Sequence, residues 1–301
     1  MGVYPVNSSS LGGTMSQLIE CHDGMYQIRD VSDSDPPTTS PRQNSNTPSL
    51  CSINHPALSH LSETSRAHLS SLSSGLCREE PRAHSESVIV DGHLPLCSNH
   101  LAFLSAYISS ARRSCPIQYT GLDVGRILGS VMYTGTPNVL HGLQHQPGGV
   151  PVAYYLQSGH PRIWITMVWS TIVRLPSCCA YPSPSLPICT HLASVSLDPC
   201  FWRHSRRFIH PLQLVKKRIP FTIHVQHAGD MVILDGLALV QSWDTGVNSV
   251  LAVPFLDSAS AVGLHNRVEA DVCACSSPND PQLGRRNAIV DTLLHLTSSY
   301  R

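Results

Sequence analysis

The chain has 301 residues, 42 % of them apolar, which is enough for one substantial core and makes a single domain with a flanking tail the default. Its 20 basic and 20 acidic side chains cancel, so the whole-molecule field neither demands nor excludes nucleic acid, and any such contact has to come from a local patch. No stretch reaches the roughly 18 uninterrupted apolar residues that cross a bilayer: even the run from Ile163 to Val173 stops at Arg174.

The start MGVYPVNSSS has no basic segment followed by an apolar run, and Val6 stands where a myristoylation signal needs Ser or Thr. The expectation is therefore a soluble chain without leader or lipid anchor. Lysine occurs only at Lys216 and Lys217, and Glu269 is the only glutamate beyond Glu86, so a carboxylate in the core has to be an aspartate or Glu269. The 11 cysteines, an odd number with no secretory signal, read as reduced thiols or metal ligands rather than as a disulfide framework.

Residues 1–85 are dense in Ser, Pro, Asn and Thr, as in DSDPPTTSPRQNSNTPSL, without a sustained period of 3.6 or 2. Such composition does not bury enough apolar surface to offset chain entropy, and a disordered tail is expected. Ordered structure is expected over 86–301. HLAFLSAYISSARR places Leu101, Leu104, Ile108 and Ala111 at helical spacing and ends in Arg112 and Arg113, which suit a helix C-terminus.

Short strands follow. VPVAYYL (Val150 to Leu156) and RIWITMV (Arg162 to Val168) flank the turn SGHP and read as two antiparallel strands. FTIHVQ, MVIL and VNSVLAVPF are further β-branched runs, separated by AGD and by a longer loop around DGLALVQSWDTG. The three prolines and three cysteines of SCCAYPSPSLPICTH, Ser177 to His191, mark a loop inserted between core strands. Many short strands with few helices predict a mainly β fold, a sandwich or barrel, with a jelly roll fitting best.

Two blocks carry a family resemblance. Tyr155-Leu156-Gln157-Ser158-Gly159-His160-Pro161-Arg162-Ile163-Trp164 is one. The other runs through Arg203-His204, Ile209-His210-Pro211, Leu214-Val215-Lys216-Lys217, Ile219-Pro220-Phe221, Gln226 and Ala228-Gly229-Asp230. In order and spacing they resemble the jumonji C (JmjC) domain of histone lysine demethylases, over residues 123–276. The resemblance implies a double-stranded β-helix, nuclear localisation and Fe(II)/2-oxoglutarate dioxygenase chemistry on histone tails or chromatin.

In that family iron is held by His-x-Asp/Glu and a distal His. Counting from Gly159 and from Gly229-Asp230, these positions fall on Gln144, Gln146 and Val240, which lack both imidazoles and the anionic donor. The resemblance therefore implies a pseudoenzyme. The other readings are an active dioxygenase with ligands from His145, Asp230 or Asp235, and a degraded gene copy without selected function. His141 and His145 are expected in a loop or at the surface. Arg162 stands where the family pairs a lysine with the distal carboxylate of 2-oxoglutarate; a strand-end arginine facing solvent is the other reading. Tyr154, where the family has an asparagine, is expected to fill part of the pocket.

The resemblance further implies a structural zinc at Cys200, His204, Cys273 and Cys275, a common tetrahedral set, against the alternative of ordinary buried thiols. Such a cross-link would offset a core poor in ion pairs. The basic residues Arg203, Arg206, Arg207, Lys216, Lys217 and Arg218 suggest contact with DNA phosphate, against the alternative of a solvated face.

Overall fold

The structure, a computed structural model, describes residues 15–22, 25–31, 82–83, 86–90, 106–111, 130–137, 139–167, 207–216, 219–271 and 281–298, with isolated positions between 63 and 72 and at 113 and 128. The described part is mostly antiparallel sheet with few helices, in agreement with the expected mainly β class. The proline-rich stretch 177–191 and most of the expected tail lie outside the described residues.

A first sheet has the order β3-β1-β2-β9, built from β1 (Met15–His22), β2 (Met25–Val31), β3 (Arg82–Ala83) and β9 (Arg207–Ile209). Strands β1 and β2 lie within the segment whose composition predicts a tail, and their register pairs His22 with Met25 across a two-residue connection. In the sequence that connection is Asp23-Gly24, a strong hairpin signal, and it outweighs the polar average of the segment.

The other two sheets hold the core. One has the order β10-β8-β12-β6, with β6 (Leu140–Gln144), β8 (Arg162–Met167), β10 (Thr222–Gln226) and β12 (Leu239–Asp244). Its companion has the order β11-β7-β13-β5-β4, with β4 (Glu86–Val90), β5 (Ser130–Gly135), β7 (Val152–Gly159), β11 (Met231–Leu234) and β13 (Asn248–Pro254). Between them pack Val152, Tyr154 and Leu156 of β7, Trp164 of β8, Val232 and Leu234 of β11, Val240 of β12, and Val250 and Ala252 of β13. The alternate residues Ala153, Tyr155, Leu251 and Val253 turn outward under Tyr107, Ile108 and Ala111, where residues 106–111 are helical as their spacing predicts.

The outer face of the four-stranded sheet is covered as well. Leu140, Leu143, Ile163, Ile165, Met167, Leu239 and Trp243 pack with Phe208, Ile209 and Leu214, from β9 and the helix Pro211–Lys216. Both faces of β7, β8 and β12 are thus buried, which explains two departures from the predicted pattern. β7 and β8 are formed and joined by a tight corner, but they pair with different neighbours: β7 with β11 and β13, β8 with β10 and β12. The corner rests on Gly159, whose φ is 97° and whose missing Cβ would lie 2.3 Å from the Val247 carbonyl oxygen. The second departure is β12 itself, which occupies the stretch expected as a loop. A strand buried on both sides shows no polar alternation, and this one carries Gln241, Ser242 and Asp244 in its interior.

Candidate functional site: the interior between two sheets

The interior between the two core sheets is where a site implied by the resemblance would lie. Val240 on β12 is the cross-strand partner of Gln144 on β6, and directly opposed residues of an antiparallel pair present their side chains to the same face. Val240 belongs to the inter-sheet core, so this is the inward face. The register shifts between Val240 and Ser242, where β6 carries an extra residue. That bulge lets Leu140 and Leu143 both reach the outer core while His141 aligns with Ser242.

Two residues beyond Gln144, the buried Gln146 donates from Nε2 to the Tyr154 hydroxyl at 3.2 Å. The Tyr154 ring in turn lies 4.8 Å, centroid to centroid, from the Trp164 indole. The Trp164 Nε1 donates to Gln226 Oε1 at 2.8 Å, and Gln226 Nε2 donates to the Tyr154 and Asp230 carbonyls. The three positions singled out in sequence are therefore drawn toward one region, with Tyr154 reaching Gln146.

These residues do not fit Fe(II). A divalent iron of the facial-triad type is held by two imidazoles and a carboxylate, whereas here stand two neutral amides and a valine. Tyr154 does not supply the missing anion, because burial, reinforced by Tyr133, pushes its hydroxyl well above the ordinary tyrosine value and keeps it protonated. Asp230 and Asp235, the other candidate ligands, are exposed and accept hydrogen bonds from the turn amides of His227 and Leu237.

Arg162 is buried, 2 % exposed, so it does not face solvent. Its Nε donates to Asp244 Oδ1 at 2.7 Å and its Nη2 to Asp244 Oδ2 at 3.1 Å, a two-pronged pair between cross-strand partners. Asn248 Nδ2 donates to the same Oδ1 at 2.7 Å, and His141 Nε2 lies 2.9 Å from Oδ2. Burial alone would raise the Asp244 carboxyl, but Arg162 and then His141 outweigh it and hold the group well below the usual carboxylate range. A dicarboxylic cofactor approaching this guanidinium would meet an anion already on it.

A second buried polar cluster joins the loop after β6 to the helices. His145, 3 % exposed, has Nε2 at 3.0 Å from Asp271 Oδ1 and Nδ1 at 2.9 Å from Arg286 Nη2. A guanidinium only donates, so Nδ1 accepts and the ring proton sits on Nε2, facing Asp271. Arg286 also donates to Asp271 Oδ2 at 2.7 Å and to the His145 carbonyl at 2.9 Å, while the Gly148 amide donates to Asp271 Oδ2. His145 lies in the loop after β6, one of the two placements expected for it, but it is buried and not at the surface, while His141 lies in β6 and is half-buried. Each contacts an aspartate, because the polar groups of a chain turning between packed layers need internal partners. Among the described residues the core holds two buried ion pairs, Arg162–Asp244 and Arg286–Asp271.

Cys200, His204, Cys273 and Cys275 lie outside the described residues, as do Arg203, Arg206, Lys217 and Arg218. Arg207 lies in β9, and Lys216 closes the helix Pro211–Lys216. Among the described residues no three His, Cys, Asp or Glu side chains come together as a metal-binding set, and no helix is long and apolar enough to cross a membrane. No protein-family model matches the sequence, and no curated protein matches it.

Proposed function

We propose that the chain is a JmjC-like double-stranded β-helix, related to histone lysine demethylases, in which packing has replaced the oxidative centre. It is a pseudoenzyme whose remaining role is binding in chromatin. Counting β5, β6, β7, β8, β10, β11, β12 and β13 as first to eighth, the core sheets run 6-3-8-1 and 5-4-7-2. That order supports a jelly roll, which interleaves its strands in this way. The observation that carries the functional reading is the pairing of Gln144 with Val240 beside a Gln146 already bonded to Tyr154. A site so furnished offers iron no anion and no imidazole.

The test is succinate formation from 2-oxoglutarate with Fe(II), alongside calorimetric titration of the purified protein with Fe(II) under anaerobic conditions. No turnover and no saturable binding are expected. Chelator-sensitive turnover would overturn the reading.

The zinc set Cys200, His204, Cys273 and Cys275 belongs to the same proposal. About one equivalent of zinc in the purified protein is expected, with a marked loss of thermal stability in Cys273→Ser, since structural zinc contributes on the order of 10 kcal/mol. Metal-free protein melting cooperatively, with Cys273→Ser unchanged, would remove it. Contact of Arg203, Arg206, Arg207, Lys216, Lys217 and Arg218 with DNA phosphate is expected as a salt-dependent mobility shift, and absence of binding at low salt would remove that too.

A further inference from the structure

Donors from three different strands converge on one carboxylate. Arg162 comes from β8, Asn248 from β13, and His141 from β6, and the group they meet, Asp244 on β12, is fully buried. The Asp244 backbone is held separately, its amide donating to the Val139 carbonyl at 2.9 Å. Above the cluster the chain leaves room on purpose: a Cβ on Gly135 would lie 2.4 Å from Asn248 Oδ1 and 2.6 Å from Asp244 Oδ2.

From this arrangement we infer that Arg162, Asn248 and His141 form a carboxylate-recognition site between the sheets, filled in cis by the side chain of Asp244. A planar guanidinium meeting both oxygens of one carboxylate, with a further donor on each oxygen, is how proteins recognise that group. The site takes a small monocarboxylate when Asp244 is removed, because β-carbon truncation leaves a space of one carboxylate beside an uncompensated cation. The inference stands on these contacts and does not depend on the family reading.

The experiment is rescue of Asp244→Ala by sodium formate. The variant is expected to melt well below the unmodified protein, and formate to raise its Tm with saturation, by about 3 °C at ten times the apparent Kd. Sodium chloride at equal ionic strength, formamide, and formate added to the unmodified protein are expected to leave Tm nearly unchanged. Where Asp244→Ala yields no folded protein, its refolding from urea is compared in formate and in chloride. Recovery in formate alone supports the site, and equal recovery or none overturns it. Gly135→Ala supplies an independent check: crowding the carboxylate is expected to lower Tm, and an unchanged Tm would sink the claim that the glycine makes room for it.

Discussion

Gln144 and Val240 face each other across β6 and β12, at neighbouring points of one ladder. Their separation in sequence is closed by the sheet order, and Gln146 follows on the same side with its amide at the Tyr154 hydroxyl. Placing histidines at 144 and 240 and a glutamate at 146 would therefore put three ligands of the right types toward one another. Tyr154, bonded to Gln146 and packed in the same core as Val240, occupies part of that region.

The expected outcome is that Gln144→His, Gln146→Glu and Val240→His together do not confer tight Fe(II) binding, and that adding Tyr154→Asn does. Two imidazoles and a carboxylate hold divalent iron with positions to spare, but only where no ring fills them. Anaerobic titration monitored by calorimetry checks it. Iron bound equally by the three-fold and four-fold variants would show that Tyr154 does not obstruct the centre.

How much of this was legible beforehand differed from element to element. β10, β11 and β13 announce themselves as β-branched runs set apart by turns, and β7 and β8 as runs around Gly159. β12 does not, because a central strand covered on both faces has no alternation, and its Asp244 looks like a loop residue until Arg162, 82 positions earlier, is set beside it. β6 is obscured by its bulge. Composition alone indicated that core carboxylates would be aspartates or Glu269, and Asp244 and Asp271 are the buried ones among the described residues. The convergence of 144, 146 and 240 came from the register of a resemblance rather than from periodicity. The cluster of His145, Asp271 and Arg286 left no mark in the sequence, since its members come from three separate segments.

Two glycines with similar backbone angles are expected to respond differently to alanine. Gly159 and Gly229 have φ of 97° and 93°, but a Cβ at Gly229 meets nothing within 4 Å, whereas one at Gly159 would strike the Val247 carbonyl oxygen. Gly229→Ala should cost only the strain of the left-handed region, about 1–2 kcal/mol. Gly159→Ala has to displace backbone as well and should cost clearly more. Urea denaturation of the two variants checks the order, and equal losses would contradict the close approach.

The His145, Asp271 and Arg286 cluster should act as a clasp for the helix Pro281–Ser298. His145→Ala leaves the Arg286–Asp271 pair in place and should cost about 1–3 kcal/mol, whereas Asp271→Asn strands the buried guanidinium and should cost about 3–5 kcal/mol. Amide hydrogen exchange is the discriminating measurement. Faster exchange is expected in residues 281–298 of both variants, with β7 and β13 still protected, because the helix would open as its own unit. Uniform loss of protection would mean that the clasp is part of the global core.

Arg162 and Asp244 give the last prediction, which turns on pH. The Asp244 carboxyl titrates below its ordinary value in the folded protein because Arg162, with His141, overcomes the cost of burial. A group whose folded pKa is depressed contributes stability that is present in full above its unfolded value, about 3.9, and is lost as pH falls through the folded value. The unmodified protein should therefore lose part of its stability below about pH 4. Arg162→Met alone leaves the buried carboxylate without its guanidinium, with only His141 and Asn248 still on it, and Asp244→Leu alone leaves the buried guanidinium without its carboxylate, each costing about 3–5 kcal/mol at neutral pH. The double variant removes both charges and should lose less than either single one, although His141 and Asn248 forfeit an acceptor. Its urea stability should also fall less steeply than that of the unmodified protein between about pH 5 and 2, the range in which this aspartate takes up its proton in the unfolded chain while the folded protein keeps it ionised. Chemical denaturation of the four proteins at several pH values checks both parts. A double variant as unstable as the sum of the singles, or one with an unchanged acid limb, would show that the pair does not act as a coupled unit.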